Sequence, residues 1–106
     1  MDKHTLSSEM EAVLSQLNEK TAGVKDDFIC LINVIGEGSF TLDLSAEGDK
    51  LFPGTPDNPE VTIELSQKTM QGLLSGKVHP MVAYSSRKLK VRGDMAKAMK
   101  LVGILG

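Results

Sequence analysis

The segment from Asp94 to Leu105 reads as a helix that is apolar around most of its circumference. Only Asp94, Lys97 and Lys100 are polar, against Met95, Ala96, Ala98, Met99, Leu101, Val102, Ile104 and Leu105. A surface helix normally shows an apolar stripe a little over about 100° wide, which one packed layer can cover. The rest of this helix must meet something more: a second helix, a bound ligand, another subunit or a membrane surface. The chain has only 106 residues, so it is expected to form one compact domain, residues 1–106. A domain of that size buries about two-thirds of the surface its unfolded chain exposes, and apolar residues beyond one core need a partner.

The other elements follow from periodicity. Residues 5–20 carry Leu6, Met10, Val13, Leu14 and Leu17 at helical spacing, with Ser8 and Glu11 in a capping-box pattern. Phe28 to Ile35 is apolar on both alternating faces except at Asn33, as expected of a central strand. After Gly36-Glu37-Gly38, the residues Phe40, Leu42 and Leu44 alternate with polar ones, as in a half-buried hairpin partner. Ala46 to Pro59 is rich in turn signals and leaves room for a short edge strand near Leu51-Phe52. A strand then runs over Val61–Leu65, and Ser66 is placed to cap a helix bearing Met70, Leu73 and Leu74 and stopped at Gly76. His79-Pro80 opens a short helix through Met81, Val82 and Tyr84. A last strand around Lys88–Arg92 ends at Gly93, and Asp94 caps the final helix. The order is that of an α+β protein, with one layer of helices on a mixed sheet of four to five strands.

Composition excludes several classes. No apolar run approaches the roughly 20 residues of a spanning helix, and the start at Met1-Asp2-Lys3-His4 lacks the pattern of an export signal, so the expected compartment is the cytoplasm. The formal charge of −2, with no Trp, one Tyr and three Phe, gives no reason to expect nucleic acid. The charge is unevenly spread: residues 1–86 hold six Lys and Arg against 13 Asp and Glu, whereas residues 87–106 hold six against one. The lone Cys30 lies inside an apolar strand and reads as a buried thiol, His79 as a turn residue, and neither stands at ligand spacing with another donor. Gly36-Glu37-Gly38 joins two strands and reads as a hairpin turn, not a phosphate cradle. No enzyme, cofactor or metal site is expected.

Four stretches carry a family resemblance: Val61-Thr62-Ile63-Glu64-Leu65, Met70-Gln71-Gly72-Leu73-Leu74-Ser75-Gly76-Lys77, His79-Pro80-Met81 and Lys88-Leu89-Lys90-Val91-Arg92-Gly93-Asp94-Met95. They resemble the sterol carrier protein-2 domain, closely over Val61–Leu101 and in general pattern before that. The resemblance implies a curved, mostly antiparallel sheet covered by helices, with an apolar tunnel between the layers. It also implies non-catalytic carriage or presentation of a fatty acid, acyl ester, phospholipid or sterol-like molecule. On that implication the lining is Phe28, Ile32, Val34, Phe40, Met70, Leu73, Leu74, Met81, Val82, Met95, Met99, Val102 and Leu105. Methionines on the last three helices suit a deformable apolar site. Ser85, Ser86, Arg87, Lys88, Lys90 and Arg92 are the candidates for contact with a lipid head group or, transiently, an anionic membrane surface. Two departures stand out. The run Tyr84-Ser85-Ser86-Arg87 differs from the family's aromatic, amide and glycine loop, and the sequence ends at Ile104-Leu105-Gly106, where some members continue over the tunnel. A more open cavity, or one closed by a second subunit, is the expectation. The competing reading is an interaction or homodimerisation module, an accessory partner of a lipid-metabolising enzyme.

Overall fold

A computed structural model describes residues 8–105. The elements run α1 (Ser8–Thr21), β1 (Ile29–Ile35), β2 (Gly38–Asp43), β3 (Leu51–Pro53), β4 (Val61–Ser66), α2 (Gln67–Ser75), α3 (Pro80–Ser85), β5 (Leu89–Gly93) and α4 (Met95–Leu105). The expected helical residues 5–7 lie outside the described residues, and Ser8 with Glu11 occupies the first described turn of α1.

Alternation along the strands dictates an open sheet with one dry face. The strand order is β3-β2-β1-β4-β5. β1 pairs antiparallel with β2 and parallel with β4, while the β2–β3 and β4–β5 pairs are antiparallel. Register places Phe40, Ile32, Ile63 and Val91 in one row across the sheet. That row belongs to the face on which Cys30, Val34, Leu42, Val61, Leu65 and Leu89 are also buried. One residue along, the row is Ser39, Asn33, Glu64 and Lys90. There Ser39 Oγ donates to Asn33 Oδ1 (3.5 Å) and Asn33 Nδ2 donates to Glu64 Oε2 (3.3 Å). β1 is central as its sequence requires, but its second face is only half-covered, and Ile35 is 57% exposed.

The helices cap as their sequences dictate. Ser66 Oγ accepts from the Thr69 amide (3.1 Å), and Gly76 takes the left-handed conformation (φ 80°) that stops α2. His79 Nδ1 accepts from the Met81 amide (3.1 Å), so this imidazole serves as the cap of α3. Asp94 Oδ1 accepts from the Lys97 amide (3.1 Å) at the head of α4.

The width of α4 is absorbed on several sides. Ala98, Leu101, Val102 and Leu105 are buried, and the helix lies against β4 and β5 with α1 and α3 also in contact. Neighbouring helices as well as the sheet thus meet α4, while Met95 stays 43% exposed. The α1–β1 connection holds α4 as well: Lys100 Nζ lies 3.0 Å from Asp26 Oδ2, and Lys97 Nζ sits 5.9 Å from the centre of the buried Phe28 ring.

Candidate functional site

The expected lining residues divide into two groups. Phe28, Ile32, Val34, Phe40, Met70, Leu73, Leu74, Val102 and Leu105 are buried together in the core between sheet and helices. Met99 is half-buried. By contrast Met81, Val82 and Met95 are 49%, 61% and 43% exposed. The first group therefore forms a continuous apolar interior, and the second lies on the outside of the helical layer.

Open grooves reach this interior from the surface. One, of about 390 Å3, lies between α1 and the β2–β3 edge and is lined by Leu14, Ser15, Asn18, Phe40, Leu51, Phe52 and Pro53. Its volume falls within the roughly 300–1,000 Å3 of small-molecule sites. Its walls are mainly apolar, with the Ser15 and Asn18 side chains supplying polar atoms along α1. Phe40 belongs both to this groove and to the core. Sequence reasoning placed Phe40 in the site but missed the rest of the groove, because its walls come from segments more than 30 residues apart that only the fold brings together. The available signal was Phe52, a large apolar side chain on a short edge strand and 42% exposed.

The residues expected to contact a head group or membrane cluster around the end of α3 and the start of β5. Tyr84, Ser85, Arg87, Leu89, Lys90 and Val91 line one open groove of about 410 Å3. Ser86 shares a second groove, of about 400 Å3, with Met81, Val82 and Ser85, and Lys88 a third, of about 340 Å3, with Lys68. Arg92 is exposed on β5. The α1 groove and this basic region are built from different elements.

Chemistry-bearing groups elsewhere are tied up in structure. Burial pushes the Cys30 thiol up to about 12, outweighing the backbone hydrogen bond at Ile63 that favours ionisation. Among the described residues, no three His, Cys, Asp or Glu side chains are grouped to hold a metal ion. No described helix is long and apolar enough to cross a membrane.

An open mixed sheet with helices layered on its one dry face over an apolar core is the α+β architecture of the sterol carrier proteins. The comparisons agree: the model of the SCP-2 sterol transfer family matches residues 4–106, and the chain belongs to that family. A crystal structure of sterol carrier protein 2-like 2 from Aedes aegypti superposes with a TM-score of 0.80 at 18% identity, covering 90% of this chain and 94% of that one. The solution structure of Aedes aegypti sterol carrier protein-2 in complex with palmitate superposes at 0.74 with 16% identity, covering 95% and 97%. At these identities the likeness shows the fold. Stomatin-like protein 1 of Mus musculus is 32% identical over 101 residues, which make up 94% of this chain and 25% of that protein. The chain thus spans about a quarter of that relative's length.

Proposed function

We propose that this chain binds a long apolar molecule, such as a fatty acid or its ester, without chemically altering it, and carries or presents it. The observation that carries the reading is the α1 groove, whose apolar floor at Phe40 is continuous with the core. In this reading the ligand enters between α1 and β3 and reaches the interior by displacing Phe40. Its polar end stays near Ser15 and Asn18, and its chain lies among Ile32, Met70, Leu73 and their neighbours. Flexible methionine and leucine side chains adapt to such a guest. Apolar burial at about 25 cal/mol per Å2 favours uptake but discriminates little between chains, so tolerance of several ligands is expected. Family membership and the fold shared with a palmitate complex support the proposal. Non-catalytic action is supported by a thiol held protonated in the core and an imidazole committed to capping. The reading includes a cytoplasmic setting, checked by fractionating cells that express the protein.

The test is displacement of a fluorescent fatty acid, paired with native mass spectrometry of gently purified protein. Micromolar binding is expected, weakened at least tenfold by Phe52→Asp, whose side chain is exposed enough for the fold to tolerate a charge. Absence of binding by the unaltered chain overturns the reading. The competing dimerisation module draws on exposed Met81, Val82 and Met95. It predicts concentration-dependent sedimentation and no ligand uptake.

A further inference from the structure

The five-stranded sheet has two edges, β3 and β5, and they are finished differently. β3 holds three residues, Leu51–Pro53, and ends on a proline that has no amide to offer. β5 runs over Leu89–Gly93 without a proline. One side of it pairs with β4, and no described strand pairs with the other. The Lys88 amide donates to the Ala83 carbonyl of α3 and not to β4. Backbone direction alternates along an antiparallel strand, so the amides and carbonyls of Lys90 and Arg92 also turn away from β4, to the free side. Gly93, at φ 95°, ends the alternation and returns the Asp94 amide to the Glu60 carbonyl.

Space and charge along this edge fit a guest strand. The end of α3 leaves an open groove of about 410 Å3 beside β5, bounded by Tyr84, Ser85 and Arg87 on one side and by Leu89, Lys90 and Val91 on the other. Lys88, Lys90 and Arg92 stand exposed on the outer face of the sheet. The ion pairs among the described residues are Lys25–Glu47 and Lys100–Asp26, so none of these three cations is in one. Glu64 lies opposite Lys90 on β4, yet its carboxylate accepts from Asn33. Between Leu65 and Gly93 the sequence holds no Asp or Glu at all.

We infer that the free edge of β5 accepts an extended acidic segment of another protein as a sixth strand of the sheet. Main-chain hydrogen bonds to Lys90 and Arg92 supply the affinity, and alternate side chains of the guest supply the choice. On the outer face its Asp or Glu side chains stand opposite Lys90 and Arg92. On the other face small apolar side chains enter the groove beside Tyr84 and Val91. Cations on an edge strand commonly keep chains from pairing. Here they do so selectively, because a second β5 would set like charges opposite one another while an acidic strand brings opposite ones. A lipid surface offers the charge but no row of amides and carbonyls. The edge shares no lining residue with the α1 groove, so a guest strand leaves carriage untouched.

The experiment is titration of the 106-residue chain with a fluorescent peptide of about six residues that alternates glutamate with valine. Saturable one-to-one binding is expected, with slower hydrogen exchange at the Lys90 and Arg92 amides. A peptide that alternates lysine with valine does not bind. Methylating one alternate set of the guest's amides abolishes binding and methylating the other set leaves it, because only one set faces β5. The double variant Lys90→Ala, Arg92→Ala binds about fivefold more weakly while keeping its melting temperature and its uptake of fatty acid. Binding that survives methylation of either set is charge attraction alone and overturns the proposal. Equal binding of the lysine peptide does the same. Absence of binding to the glutamate peptide also overturns it, and association with phosphatidylserine vesicles in that case assigns the cations to a membrane.

Discussion

A single atom decides the role of two residues that otherwise look like chemistry and filler. Cys30 is fully buried and its thiol stays protonated at neutral pH, so it behaves as a small apolar side chain. It is expected to resist iodoacetamide in the native protein and to react once the chain is unfolded in denaturant, which mass spectrometry of the alkylated product reads directly. Gly93 is the reverse case. Its φ is +95°, and a Cβ there would collide with the Glu60 carbonyl oxygen, which also accepts the Asp94 amide at 2.9 Å. Gly93→Ala is therefore expected to cost about 3 kcal/mol in a denaturant titration. The glycine of the Lys88–Met95 motif was legible as a strand end, but its close approach to Glu60 was not, because the partner lies 33 positions earlier in the chain.

Among the elements, α4 announced its importance in sequence and the structure changed the reason. Its apolar breadth left helix, ligand, subunit and membrane open as partners, and α1 and α3 pack against it beside the sheet while Met95 stays exposed. The caps at Ser66 and Asp94 were readable because each depends on local spacing, whereas His79 was read as a turn residue and its capping Nδ1 came only with the structure. The groove beside α1 was not, since helix periodicity says which side of α1 is apolar but not that Leu51–Pro53 will stand beside Leu14. The Asp26–Lys100 pair that ties α4 to the α1–β1 connection is sensitive to acid. The hydrogen bond from Lys100 is the main cause holding the Asp26 carboxyl below its ordinary range. A depressed folded-state value means that the contribution is present above the unfolded-state value and fades as pH falls through the folded one. The expected outcome is a loss of thermal stability on acidification below the ordinary carboxylate range that is smaller in Asp26→Asn, measured by melting curves across that window.

At the scale of the whole molecule, α+β class, strand content and the single helical layer followed from alternation and turn signals. The family motif between Val61 and Leu101 then pointed to the domain type that the 4–106 match establishes. Parallel pairing of β1 with β4 was beyond reach, because both neighbouring positions beside a central strand satisfy the same apolar pattern. That pairing joins Cys30 to Val61, and the Glu60 amide donates to the Ile29 carbonyl to start it. A chain ended after Pro59 has β1 and its hairpin but lacks the strand that flanks β1 on its other side. It is expected to show no protected amides in hydrogen exchange, whereas the full chain protects β1 and β4 together.

The same pairing sets an order in time. A ribosome releases the centre of the sheet long before its second neighbour, and the loop between them must close first. Until Ser66 has emerged, the segment richest in aliphatic side chains waits with one open edge, poised to join a stranger as readily as its own chain. A slower passage through residues 44–60 therefore lengthens the time for which that edge stays open.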